Sequence, residues 1–107
     1  MSVVTNVIIA FSASENEAER LNDIHKFQYN NQPFRIVSVN DSKLQKGWYG
    51  GTKYLETNIL IGAYNHLNLK DLIQHMSTID WEEPEDVQVI VKEQNDDRFR
   101  IINLFPS

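Results

Sequence analysis

The chain has 107 residues, of which 41% are hydrophobic and 23% charged, and this is the composition of a single ordinary globular domain over residues 1–107. It contains no cysteine, so the sequence excludes a disulfide framework, a thiolate nucleophile and a cysteine-based zinc site, and it favours a cytoplasmic location. The formal net charge of −5 argues against binding to nucleic acid, and no apolar run is long enough to predict a signal peptide or a membrane-spanning segment.

The N-terminal part predicts a strand followed by a helix. Val3–Phe11 is rich in Val and Ile, so we expect a central strand of a sheet. Ser14 and Glu17 have the spacing of a capping box, which predicts that a helix begins there, and Pro33 follows its end. Ala18, Leu21 and Ile24 recur at helical spacing as a buried stripe. The solvent side is then expected to carry the charged residues Glu15, Glu19, Arg20, Asp23 and Lys26.

The middle of the chain predicts two strands joined by a long loop. Phe34–Val39 is the first of these strands, and the loop covers Ser42–Thr52, where three glycines surround Trp48 and Tyr49. From Lys53 or Tyr54 onward the apolar residues alternate again, which is typical of a strand. One face of this strand carries Leu55, Thr57, Ile59, Ile61 and Ala63. We expect that face to be sealed beneath the helices.

The C-terminal part predicts a second helix and a hairpin. Asn68 and Asp71 repeat the capping pattern, and a buried stripe follows at helical spacing, formed by Leu69, Leu72, Ile73, Met76 and Ile79. Two further strands are expected over Val87–Val91 and Phe99–Phe105, joined by a polar turn over Gln94–Asp97.

The predicted order of elements is β-α-β-β-α-β with an extra C-terminal strand, which indicates an α+β ferredoxin-like two-layer sandwich. Right-handed crossovers would place both helices on one face of the sheet. The fifth strand would extend one edge, through which two copies of the chain could pair as a homodimer. The helix-free face is expected to carry Asn6, Tyr54, Asn58 and Arg100, a set that lacks the aromatic and basic signature of RNA recognition.

The sequence contains no recognised catalytic or cofactor motif. His25, His66 and His75 do not have the spacing of a zinc site, and no Gly-x-Ser-x-Gly nucleophile motif occurs. Gly50 and Gly51 precede a lysine, but the remainder of a phosphate-binding loop is missing. We therefore expect no enzyme activity, no cofactor and no metal.

Two segments have the chemistry of a protein contact. The first is a glycine-flanked aromatic and basic segment that contains Trp48, Tyr49, Lys53 and Tyr54. The second is an acidic stretch that contains Trp81, Glu82, Glu83, Glu85 and Asp86. Large aromatic side chains outside a periodic core pattern are typical interface anchors, and a row of acids steers a basic partner. Each Trp has a second interpretation, in which it folds back to cover the open end of the core.

The lead functional hypothesis is a protein-binding module of inhibitor type, comparable in class to a toxin's immunity protein or an anti-defence protein, which occludes a partner with a basic surface. The alternative is a small-ligand or nucleotide-binding regulatory domain that uses the loop over residues 43–54. An enzyme without a recognisable motif is the third hypothesis.

Overall fold

The computed structural model describes residues 3–29, 31–45 and 55–105, which form an α+β fold with a five-stranded antiparallel sheet and two helices. The helices are α1 (Glu17–His25) and α2 (Leu69–Ser77), and a single 3-10 turn covers Pro84–Asp86. The strands are β1 (Val4–Phe11), β2 (Gln28–Tyr29), β3 (Gln32–Pro33), β4 (Val37–Ser38), β5 (Asn58–Asn65), β6 (Gln88–Glu93) and β7 (Arg100–Asn103). Among the described residues, each helix is too short and too polar to cross a membrane.

The strands of the large sheet lie in the order β4-β5-β1-β6-β7, and β2 and β3 form a separate small hairpin. The predicted central strand is confirmed, because β1 pairs with β5 on one side and with β6 on the other. The predicted C-terminal hairpin is also confirmed, with Ile90 opposite Ile101. Two predicted boundaries were wrong: the second strand shortens from Phe34–Val39 to β4, and the third begins only at Asn58.

One face of the sheet, which we call the core face, is buried against both helices. Alternate residues of β1 are almost completely inaccessible to solvent, namely Val7, Ile9 and Phe11. They belong to a single hydrophobic cluster with Ile24 of α1 and with Leu72 and Met76 of α2. Ile24, Leu72 and Met76 therefore cover the apolar surface of β1, whereas Ala18, which the helical spacing placed in the buried stripe, is exposed.

Aromatic rings close one end of this core. Tyr64 stacks on Phe34 with ring centroids 4.2 Å apart, and Phe27 meets Phe34 edge to face at 5.3 Å. The hydroxyl of Tyr64 donates to the carbonyl of Arg35 (3.1 Å) and lies directly above Gly62, where a side chain would meet it. Burial raises the pKa of Tyr64 well above its ordinary value, so this hydroxyl stays protonated as a donor.

The face of β5 that the alternation predicted as buried points the other way. Ile61 is 41% exposed and Ile59 is only half-buried, whereas Leu60 is fully buried. The register explains the difference: Leu60 lies opposite Ile9 of the core face, so its odd-numbered neighbours must point outward. The predicted outer position of Asn58 was wrong for the same reason, because its amide is buried and donates to the carbonyl of Ser12.

The opposite face, which we call the outer face, carries a line of branched apolar side chains that crosses all five strands. Pairing places Val37, Ile61, Ile8, Ile90 and Ile101 next to one another in that order, and we call these five residues the outer stripe. Its two ends and its second member are well exposed: Val37 is 59%, Ile61 41% and Ile101 60% accessible. A shallow groove of about 530 Å³ runs beside the stripe, bounded by Arg35 and Phe99.

The sequence predicted the N-cap of the second helix correctly but not that of the first. The first helix begins at Glu17 rather than near Ser14, because the side chain of Asn16 accepts from the amide of Glu19 at 3.1 Å. Ser14 instead hydrogen-bonds to Ser12 in the preceding turn. The predicted cap of the second helix is confirmed, with Asn68 accepting from the amide of Asp71 at 3.1 Å.

We predict that Gly62→Val destabilises the protein by about 1–3 kcal/mol, because the new side chain displaces the Tyr64 ring from the core. Ala63→Val is the matched control: it adds bulk to the adjacent residue on the exposed outer face, so its effect should stay within about 0.5 kcal/mol. Urea unfolding of the two variants measures both values. Equal costs at the two positions would contradict the assigned faces of β5.

Candidate functional site

The acidic stretch of the sequence forms the connection between α2 and β6, and we call residues 80–86 the acidic connection. Glu82, Glu85 and Asp86 are exposed, and Glu83 is half-buried. The connection contains the short 3-10 turn over Pro84–Asp86, which Pro84 opens with its fixed backbone angle. It enters β6 at the end of the sheet where β1 finishes and β5 begins, because Phe11 lies opposite Asn58 and Ala10 opposite Gln88.

A buried carboxylate holds this connection to the rest of the domain. The side chain of Glu15 is completely inaccessible, and its Oε2 accepts from the backbone amide of Glu83 at 2.9 Å. Its Oε1 accepts from Nε of Arg20, also at 2.9 Å, and Arg20 continues to Asp23 at 3.2 Å. The sequence placed Glu15 and Arg20 on the solvent side of α1, and that expectation was wrong. They form a buried ion pair with each other, and Glu15 also accepts from the amide of Glu83, which lies 68 residues further along the chain.

The electrostatic state of Glu15 follows from these contacts. Burial alone would raise its pKa, but the hydrogen bonds from the amide of Glu83, the guanidinium of Arg20 and the amide of Glu82 outweigh burial and lower it. The carboxylate therefore stays charged at neutral pH. A charge in this position is compensated only while Arg20 and the two amides face it, so the chain over Glu82 and Glu83 has little freedom to move away.

Trp81 is a core cover rather than an exposed anchor, which is the second of the two interpretations that the sequence left open. It is only 6% exposed, its ring packs against Phe11 with centroids 5.3 Å apart, and its indole nitrogen donates to the carbonyl of Met76 at 3.0 Å. The guanidinium of Arg20 lies 5.8 Å from the centre of the same ring. The buried side chain of Trp81 thus attaches the start of the acidic connection to the core.

Three carboxylates of the connection converge. Oxygen atoms of Glu83, Glu85 and Asp86 all lie within 4.8 Å of one another. The pKa of Glu83 is raised chiefly because its protonated carboxyl can donate a hydrogen bond to Glu85, and next by the negative charge of Glu85, with smaller contributions from burial, Asp86 and Glu15. The cluster therefore concentrates negative charge at one point of the surface and holds a proton more tightly than isolated carboxylates do.

This cluster supplies only part of a metal site. Carboxylate oxygens suit Ca²⁺, which takes six to eight oxygen ligands, and these three carboxylates converge with one oxygen each, so a calcium site would need further donors. An ammonium group, with three N–H donors, and a guanidinium group, with five, are other cations that such carboxylate acceptors can bind.

A cleft of about 540 Å³ lies beside the acidic connection, at the same end of the sheet. It is lined by residues 10–13 and by two exposed carboxylates, namely Asp86 of the cluster and Glu56. A long cationic side chain could enter this cleft and reach acceptors on both sides.

Four of the predicted contact residues cannot be placed: Trp48, Tyr49, Lys53 and Tyr54 lie outside the described residues. The described part of that loop, Lys43–Gln45, is exposed.

The histidines contribute to packing between elements. Nε2 of His25 donates to the carbonyl of Ile36, and Nε2 of His75 donates to the carbonyl of Asp23, each at 2.9 Å. The second bond ties α2 to α1. His66 is exposed at a positive φ of 58° and precedes the second helix.

Comparisons of this chain with protein-family models, with curated proteins and with solved structures gave no significant match.

We predict that Glu15→Gln destabilises the fold by about 3 kcal/mol at pH 7, because it removes the buried counter-charge of Arg20 and leaves only the half-buried Asp23 to pair with it. The pKa of Glu15 is lowered in the folded state, so its stabilising effect is present above pH 4.5 and is lost as the pH falls through the folded pKa. Urea unfolding of both proteins between neutral and acidic pH should show that the difference in their free energies of unfolding decreases as the pH falls. Glu19→Gln, at an exposed position of the same helix, is the control, and because its charge acts on Arg20 only from the surface it should change the stability by about 0.5 kcal/mol or less.

A second prediction concerns the carboxylate cluster. Glu85→Gln should lower the pKa of Glu83, because it removes the negative charge and the carboxyl hydrogen bond that raise it. NMR titration of the side-chain carboxyl carbons measures this pKa directly. Glu82→Gln is the comparison, since Glu82 is not among the groups that shift Glu83. An unchanged Glu83 pKa in Glu85→Gln would contradict the convergence of the two side chains.

Proposed function

We propose that this chain is a protein-binding module of inhibitor type, which contacts a partner with a basic surface through the acidic connection. The observation that carries this proposal is the buried Glu15 carboxylate, which accepts from the amide of Glu83 and so holds the backbone of the acidic connection in place. A loop that is only solvated does not need a buried hydrogen bond of this kind. The bond gives the exposed carboxylates a defined geometry in the absence of a partner.

Pre-organisation is the first argument. A contact surface that is already ordered loses less conformational entropy on binding than a flexible one. The acidic connection is held at three points: Trp81 is buried, the amide of Glu83 is bonded to Glu15, and Pro84 opens a short turn. Its exposed carboxylates on Glu82, Glu85 and Asp86 therefore project from a fixed support.

Charge is the second argument. The like charges of Glu83, Glu85 and Asp86 repel one another, as the raised pKa of Glu83 indicates. A lysine or arginine of a partner would relieve that repulsion and gain charge-assisted hydrogen bonds. The cleft beside Asp86 and Glu56 offers a place for such a side chain. A guanidinium fits this arrangement best because its several donors are spread in one plane.

The mode of action that we propose is occlusion: an acidic domain of this kind covers a basic functional surface of its partner, as a toxin's immunity protein or an anti-defence protein would. The long-range field of the acids would also accelerate the encounter. The cytoplasm is the proposed location, because a chain without cysteine suits a reducing compartment.

We also propose that the architecture is the ferredoxin-like sandwich with one added strand. Each helix joins two parallel strands that have one other strand between them: β1 and β4 flank β5, and β5 and β6 flank β1. This is the split βαβ arrangement, and two right-handed crossovers of this kind place both helices on the same face. Such a fold hosts many functions, so it does not by itself support the inhibitor hypothesis.

The test is affinity capture from the native host with the wild type and with the triple variant Glu82→Gln, Glu85→Gln, Asp86→Asn. We expect a stoichiometric basic protein to bind the wild type. With that protein purified, the triple variant should lower the association rate by about tenfold or more at low salt and flatten its salt dependence.

The control is the triple variant Glu19→Gln, Asp71→Asn, Asp97→Asn, which makes the same change in net charge at other exposed positions. It should reduce association only slightly, because steering depends on local charge. Equal rate losses in the two triple variants, or binding that neither variant affects, would contradict the acidic connection as the contact surface.

A further inference from the structure

The outer face of the sheet is a second surface, distinct from the acidic connection, and its composition is unusual for a surface exposed to water. Its strand positions in β1 and β5 are mostly apolar: Val4, Asn6, Ile8, Ala10, Ile59, Ile61, Ala63 and Asn65. The positions in the other three strands are Val37, Gln88, Ile90, Lys92, Ile101 and Asn103. Among these strand positions the single charged residue is Lys92. We propose that the outer face is the interface of a homodimer, in which two copies stack their outer stripes face to face.

The first argument is the shape and chemistry of the stripe. Paired sheets in a β-sandwich bring flat inner faces of branched apolar side chains together at a spacing of about 10 Å. The outer stripe has this character, since Val37, Ile61 and Ile101 are β-branched and stand 41–60% exposed. A single isolated Ile on a surface is ordinary, but four isoleucines and a valine in register across a whole sheet form a continuous hydrophobic line.

The second argument is symmetry. The stripe runs straight across the sheet, so a two-fold axis lying in the interface maps the stripe of one copy onto the stripe of the other. An isologous contact of this kind is complete with two copies. Both outer stripes are then buried, so neither is available to bind a third copy. The edge of β7 stays free in this arrangement, so the interface differs from the edge-strand pairing that the sequence suggested.

The third argument is area. Five strands at a spacing of about 4.8 Å and side chains along about six residues at about 3.3 Å each give a face of roughly 480 Å² in projection. Two stacked faces therefore remove roughly 1,000 Å² of accessible surface or more, which meets the lower bound for a specific protein interface. Phe99 and Arg35, which border the groove beside the stripe, would add to this area.

The fourth argument is charge. The basic partner of the acidic connection is not the occupant that suits the outer face, because the strand positions of that face include no carboxylate to pair with a cationic surface. A second copy brings an outer face with the same low charge, and lysine and arginine stems can direct their charged ends to the rim. The acids that make the net charge −5 lie elsewhere in the chain, away from the outer-face strand positions.

Sedimentation velocity over about 1 to 200 µM protein tests the proposal, because a dimer of identical chains must depend on concentration. The wild type should approach twice the chain mass of 12.5 kDa. Ile61→Lys should weaken the dimer by about 30-fold or more, which is the size of a hot-spot effect, because it buries a charge within the stripe. Leu44→Lys makes the same change at an exposed apolar residue outside the sheet and should leave the dimer unchanged.

A cross-linking experiment keeps the proposal testable if Ile61→Lys folds poorly. The chain has no cysteine, so Ile61→Cys introduces a single thiol in the stripe, and a short bismaleimide should join two copies in high yield. Leu44→Cys should give little cross-linked product. A wild type that remains monomeric over the whole range overturns the proposal, and so does a dimer that Ile61→Lys and Ile101→Lys both leave intact. The acidic triple variant should dimerise normally, so failure of the dimer and failure of the proposed function are separate results.

Discussion

The register between β1 and β5 is the constraint on which the rest of the structure depends. With Ile9 opposite Leu60 and Ile8 opposite Ile61, every odd residue of β1 enters the core and every odd residue of β5 leaves it. A shift by one residue would exchange the two faces of β5 and turn Tyr64 away from Phe34. The observed register fills the end of the core with stacked aromatic rings, and in return it leaves a line of isoleucines on the outer face.

The same core positions the acidic connection. Trp81 packs on Phe11 at the end of β1, and Glu15 follows that strand closely enough to bond the amide of Glu83. A buried ion pair contributes little net stability compared with apolar packing, but removing one partner is costly. We therefore interpret the role of Glu15 and Arg20 as one of positioning: they hold the backbone that carries the exposed acids. The two proposed surfaces are thus both consequences of one packing arrangement, although one is acidic and the other apolar.

The sequence predicted the type of the main elements well, because β1, α2 and the C-terminal hairpin have clear periodicity and turn residues. It did not predict which face of β5 is buried, because both faces of this strand are apolar: one carries Ile59 and Ile61, and the other carries Leu60 and Tyr64. Only the register with the neighbouring strand determines which face enters the core. It also missed Glu15 and Arg20, because helical periodicity assigns charged residues to solvent and gives no signal for an ion pair that meets a distant backbone amide. The cap at Asn16 was missed because Ser14 has equally suitable cap chemistry.

The central claim is that Ile61 lies on the outer face beside Ile8 while Leu60 lies in the core. Nuclear Overhauser contacts between assigned methyl groups measure this arrangement directly, whatever the oligomeric state. We expect contacts from Ile61 to Ile8 and Val37, and contacts from Leu60 to core methyl groups such as those of Ile9 and Leu72. Contacts from Ile61 to the methyl groups of Leu72 or Met76 would contradict it.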